Sequence, residues 1–219
     1  MRIQIAVIAL FAALSASQIS AQSPDLPYAR GIYFAGSGHI SSVGGGFDGR
    51  TAFDAGGEIL VVPRLETGFG AGGILGYRGA NWGYEAGGFY KANNGSFAGS
   101  AFDTSTAGFT FDIEWLPFAR TILQPYLAAG VGISTLTVKD GSSDGALVGD
   151  ALYYVGGFRA GLGIEVCVTK QFFIRAQGLY KIERVASIQG VSDRRRIDLD
   201  HTLNADGYEF SLIIGYVVF

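Results

Sequence analysis

Charge is scarce in this chain. Asp, Glu, Lys and Arg make up 16% of its 219 residues, where an ordinary soluble domain carries about 25%. The formal net charge is -3, which leaves no basic footprint for nucleic acid. Cysteine is down to one residue, Cys167, and that excludes an intramolecular disulfide framework and a cysteine-rich metal site. Proline (5 residues) and histidine (His39 and His201) are equally rare. No apolar run reaches the ~18 residues of a membrane-spanning helix. Intrinsic disorder is also excluded, because 48% of the residues are hydrophobic and supply ample surface to bury.

Glycine and aromatics are abundant instead, with 34 Gly and 13% Phe, Trp and Tyr. Glycine is costly inside helices, so this mixture predicts strands. The N-terminus is set apart. Arg2 precedes the apolar stretch 5–14 (IAVIALFAAL), followed by small and polar residues up to Ala21. These are the three parts of a secretory signal peptide, and the stretch is shorter than the ~20 residues of a membrane anchor. The expected division is a signal peptide over 1–21, cleaved near Ala21, and one domain over 22–219. Removing 1–21 takes away Arg2 alone and leaves 15 Lys+Arg against 19 Asp+Glu.

Alternation dominates the rest. In residues 152–168 the even positions are apolar (Leu152, Tyr154, Phe158, Leu162, Val166), while the odd ones are often small or charged (Gly157, Arg159, Gly161, Glu165). Period two with two different faces marks a strand between two solvents. The pattern recurs and predicts eight strands, near 28–40, 67–78, 82–91, 105–117, 124–138, 151–168, 171–185 and 206–219. Short connections (79–81, 117–121 and 169–171) alternate with long polar ones (41–66, 92–104, 139–150 and 186–205). Short turns on one side and long loops on the other belong to an outer-membrane barrel. Tyr77, Trp82, Trp115, Phe118, Tyr126 and Phe172 flank the short connections, with Phe219 at the end, and amphipathic rings favour a membrane interface. The predicted fold is therefore an all-β, eight-stranded, antiparallel up-and-down transmembrane barrel with a periplasmic aromatic girdle.

Residues 124–132 (QPYLAAGVG) and 158–165 (FRAGLGIE), followed by a short turn and 172–180, with Phe219 at the terminus, resemble small Gram-negative outer-membrane barrels of the OmpA, OmpX and opacity type. The resemblance covers most of residues 22–219. It implies an outer-membrane protein, recognised by the barrel assembly machinery through Tyr216 and Phe219, in contact with outer-membrane lipid and lipopolysaccharide. It also implies a surface antigen able to meet an extracellular ligand or host surface. No peptidoglycan-binding domain follows the barrel pattern.

Strand parity turns a set of charges toward the interior: Arg78, Lys91, Arg159, Arg175 and Lys181 against Glu85, Asp112, Glu114, Glu165, Glu183 and Glu209. An eight-stranded barrel is just wide enough for side chains to fill, and isolated buried charges are costly. The set reads as a paired polar plug rather than an ion conduit. Other motifs carry less. Residues 68–73 match GxGxxG but lie in a strand pattern with no helix after them. His39 and His201 fall at or in expected outer regions without the partners of a lipid-modifying enzyme. Asp198, Asp200 and His201 read as solvated loop residues rather than a metal site, and Asp193–Arg196 as a solvated charge run rather than a phosphate site. Cys167 reads as an inward filler near the periplasmic end. The expectation is a monomeric structural or surface-contact protein with a closed lumen, no cofactor, no metal, no catalysis and no nucleic-acid partner. The rivals are a small-conductance porin, an outer-membrane lipid-modifying enzyme and a soluble lipocalin-like barrel, which would turn its apolar face inward.

Overall fold

The computed structural model describes residues 30–53, 59–97, 100–118, 121–139, 151–190, 196–197 and 203–218. The expected signal peptide over 1–21, Asp193–Arg195, Asp198, Asp200, His201 and Phe219 lie outside the described residues. The described residues form β1 (Gly31–Ser41), β2 (Arg50–Phe53), β3 (Ile59–Val62), β4 (Arg64–Leu65), β5 (Gly68–Arg78), β6 (Trp82–Phe97), β7 (Ser100–Trp115), β8 (Leu123–Val138), β9 (Ala151–Cys167), β10 (Phe172–Gly190), β11 (Arg196–Ile197) and β12 (Gly207–Val218).

Eight of these are staves. β1, β5, β6, β7, β8, β9, β10 and β12 pair antiparallel in that order, and β12 returns to β1 from Ile32↔Val218 to Ser41↔Glu209. Closure removes the free edges of an open sheet, which hydrocarbon could not hydrogen-bond. Burial follows parity. Along β12 each residue from Gly207 to Val218 alternates buried and exposed, with Phe210, Leu212 and Ile214 outward and Glu209, Ser211 and Ile213 inward. The large apolar side chains thus face out over most of the wall and the charged ones face in. That polarity is the reverse of a lipocalin-like barrel.

The expected connections need two corrections. Residues 92–104 are no loop: β6 runs to Phe97 and β7 starts at Ser100, paired down to Trp82↔Trp115. Apolar alternation fades above the membrane belt while the hydrogen-bonded ladder continues, and Thr104 Oγ1 donates to the Asn93 carbonyl at 2.8 Å. The stretches 41–66 and 186–205 also carry order. β2 pairs with β3, β4 with β6 and β11 with β10. Residues 42–46 extend the β1–β12 ladder through hydrogen bonds to Tyr208, Asp206 and Asn204.

These segments pack over the end of the barrel away from the short turns. Phe47, Val62 and Leu65 from the first long connection pack with Leu136 and Val138 of β8, Tyr153 and Val155 of β9, Val185 and Ile188 of β10, and Leu203 and Ala205. The Phe47 ring meets Tyr153 edge-on at 5.5 Å. The mouth is thus an apolar core, where the sequence led us to expect polar loops.

Candidate functional site

Below that cap the interior is a charge cluster centred on Arg175. Its register opposite Glu165 and its inward parity place the guanidinium inside the lumen, where it is buried. Nε donates to Glu165 Oε2 at 2.5 Å, and Nη1 donates to Glu114 Oε1 at 2.7 Å and to Glu85. Tyr33 Oη also donates to Glu85, and Arg78 Nη2 to Glu165. Two arginines thus serve three carboxylates, and every one of these side chains is buried. The Arg175 guanidinium carbon lies 4.6 Å from the ring centre of Phe173, 5.2 Å from Tyr33 and 5.3 Å from Tyr126, within cation–π range.

Glycine makes room for those rings. Tyr33 stands opposite Gly76, Tyr126 opposite Gly163 and Phe173 opposite Gly215 in the strand register. A Cβ on any of the three would come within 2.4 Å of the partner ring. Each ring therefore lies flat across a paired glycine, an arrangement that only a missing side chain permits.

A second cluster lies above the first. Glu209 accepts from Lys91 and lies 3.7 Å from Arg159 Nη1 and 3.4 Å from His39 Nδ1. Arg159 grips Asp112 with two nitrogens, Nε at 2.7 Å from Oδ1. Lys181 Nζ donates to Glu183 at 3.2 Å. All eleven charged residues singled out by parity therefore face the lumen. His39 belongs with them rather than to an outer region: its ring nitrogens lie 2.8 Å from Ser37 Oγ and 2.9 Å from Ser211 Oγ. Ser37, His39 and Glu209 share the connectivity of a hydrolase triad. The cavity beside them holds about 20 Å³, room for about one water and none for an acyl substrate. A second void of about 20 Å³ lies beside Lys91, Lys181 and Phe47. Among the described residues no group of three His, Cys, Asp or Glu side chains is placed to hold a metal.

The outside carries two aromatic rows. Tyr77, Trp82, Trp115 and Phe118 are exposed beside the short turns, and Phe172 is half-buried, paired with Tyr216. Eight residues further along the same strands, from Tyr77, Trp82, Phe172 and Tyr216, stand Phe69, Tyr90, Tyr180 and Tyr208, all exposed. Eight residues of about 3.4 Å, tilted by about 40°, give about 21 Å of height, close to the ~25 Å apolar band of outer-membrane barrels.

No protein-family model matches the chain, and no curated protein matches its sequence. Solved structures do match. The outer membrane protein OprG from Pseudomonas aeruginosa aligns with a TM-score of 0.59 at 16% identity, over 87% of this chain and 97% of that one. Neisserial surface protein A aligns at 0.50 and 14% identity, over 85% and 97%. The fold is that of the small outer-membrane β-barrels.

In this outer-membrane-barrel fold one expected girdle residue is misplaced. Tyr126 does not face the interface; it is buried over Arg175. It shares inward parity with Gln124 and Ala128, and Leu127 takes the exposed position. Cys167 is buried near the short turns, where its thiol donates to Glu165 Oε1 at 3.3 Å and Gln124 Nε2 approaches its sulfur at 3.6 Å. The GxGxxG glycines lie within β5. Tyr33, Ser37, His39 and Ser211 were absent from the expected lumen set, although each falls on the inward parity of β1 or β12.

Proposed function

We propose that the protein is an integral outer-membrane barrel with a closed lumen, whose role lies in envelope integrity or in contact at the cell surface. The observation that carries this reading is the inverted polarity: an apolar wall outside and buried, paired charge inside, with lumen voids of about 20 Å³ each beside His39 and beside Lys91. In this reading residues 1–21 are a signal peptide removed near Ala21, and Tyr216 with Phe219 form the signal read by the barrel assembly machinery. Tyr77, Trp82, Trp115 and Phe172 anchor the inner interface. The lumen charges are a structural plug: each pair holds its partner's charge, and the apolar cap seals the mouth above them. Contact with lipopolysaccharide or an extracellular ligand then falls to the outer wall and the long connections.

Two measurements test the reading. The expressed protein should sediment with outer membranes, resist carbonate extraction and show heat-modifiable gel mobility. In planar bilayers the purified protein should give at most rare, small openings. Recovery in the soluble periplasm refutes membrane integration; steady ion-selective currents refute closure and establish a small pore.

A further inference from the structure

The outward wall is uneven. On β6 to β10 the cross-strand row Gly88–Phe109–Ile133–Gly156–Arg184 contains two positions without side chains. Between Phe109, Ile133 and Tyr154 they leave an apolar trough of about 690 Å³. Directly below it a second trough of about 380 Å³ runs between Val131, Phe158, Ala160 and Ile182. Both lie on the outward face of the wall, with Tyr154 in the lining of the upper trough and Tyr180 in that of the lower.

Charge appears at the flank of the upper trough, on Arg184 opposite Gly156. Among the described residues the outward faces of the eight staves carry two charged side chains, Asp103 and Arg184. Arg184 ends the row that forms the upper trough. Its Nη1 donates to the Glu183 carbonyl at 2.9 Å and to Asp206 Oδ1 at 2.7 Å. Its Nε and Nη2 make no hydrogen bond among the described residues, and the side chain is 43% exposed. Lys139, exposed just past the end of β8, stands on the same outward column as Ile133 and Thr135. Tyr154 Oη donates to Gln189 at 3.3 Å, so the ceiling of the upper trough is polar. The walls of β1, β5 and β12 have no such cation.

The geometry points to a binding site for a phosphorylated, multiply acylated glycolipid of the outer leaflet, with acyl chains in the two troughs and a phosphate on the free edge of Arg184. Guanidinium edges suit phosphate oxygens, and a side-chain-free groove receives a chain without displacing protein. The inference rests on the membrane orientation proposed above, and it singles out one lipid from the surrounding bilayer because chain grooves and cation coincide at one place.

The test uses the full-length mature barrel in phosphatidylcholine nanodiscs doped with diphosphoryl lipid A, with retained lipid counted by native mass spectrometry. Wild type should retain lipid A. Gly156→Leu should lower retention at least tenfold by filling the upper trough; an added Cβ there meets nothing closer than 3.8 Å, so the barrel still closes. Arg184→Gln should do the same, whereas Gly38→Leu, on the outward face of β1 with nothing within 4 Å of its Cβ, should change nothing. Equal retention in Gly156→Leu, equal binding of dephosphorylated lipid A or of phosphatidylglycerol, or a dimer seated on this face would each overturn the proposal. A folded, carbonate-resistant barrel without bound lipid A overturns this inference alone; loss from the membrane overturns the reading beneath it.

Discussion

Arg175 is where the lumen is most exposed to perturbation. Replacing it with Met keeps an unbranched apolar stem and removes the guanidinium with its charge. With Arg175 in place, the lower cluster has two guanidinium groups for Glu85, Glu114 and Glu165; without it, Arg78 alone remains for three buried carboxylates. Breaking one buried pair by deleting a partner costs about 3–5 kcal/mol. Arg175 contacts three acids, so the loss should reach at least the top of that range, near 5 kcal/mol. Arg175→Lys keeps the charge but offers one point donor in place of a fork, and should lose about half as much. The assay is urea unfolding of the barrel in lipid vesicles, read by the fluorescence of Trp82 and Trp115 and by heat-modifiable mobility. Neutralising the orphaned acids in the same chain, as Arg175→Met with Glu85→Gln and Glu114→Gln, should recover more than half of the loss. A loss below about 1 kcal/mol for Arg175→Met, or no recovery on neutralisation, refutes the reasoning that buried charge pairing holds the lower lumen.

Gly163→Ala should destabilise the barrel by about 1–3 kcal/mol, because its Cβ would strike the Tyr126 ring; Gly73→Ala, in the same unfolding assay, should be neutral. Phe111 lies midway between Trp115 and Ala107 on the outward face of β7, and Phe111→Arg should cost about 2–4 kcal/mol, checked by vesicle refolding yield. Phe47→Ser should loosen the cap, seen as faster hydrogen exchange at Val185 and Ile188, yet leave bilayer conductance low, because the charge cluster still blocks the path beneath. Adding Arg159→Ala to Phe47→Ser should raise the leak above that of either single variant.

The strands were legible because period two with two unlike faces marks a wall between two solvents, as in Leu152–Val168; which face lies inside was not set by parity and rested on the aromatics beside the short turns. Tyr126 was misread by composition: a ring beside a short turn looks like an interface anchor, although its even number already set it with Ala128 and Gly130. His39 and Tyr33 share the inward parity of Ser37, and an inward face otherwise made of Gly31, Ala35, Ser37 and Ser41 gave them little contrast. The outer aromatic row went unread, although Phe69, Tyr90, Tyr180 and Tyr208 stand eight residues from the inner one along their strands. The cap was not. Phe47, Val62 and Leu203 are isolated apolar residues within polar stretches, and only contacts across long sequence separations give them partners. The length of β6 and β7 escaped for a related reason, since strand pairing above the belt needs no hydrophobic pattern.

The partners of Arg175 come from all around the wall: Tyr33 on β1, Glu85 on β6, Glu114 on β7 and Glu165 on β9. The contact with Tyr33 joins residues 142 positions apart. A half-built sheet holding β9 and β10 but not yet curled back to β6 and β1 would carry unmatched guanidinium and carboxylate groups on an open face. Hydrocarbon tolerates neither those charges nor an unpaired edge strand. The order of events in biogenesis follows from this. Curling and seam formation between β1 and β12 must accompany entry into the bilayer, and the ion cluster acts as a lock that engages only once the last strand has found the first.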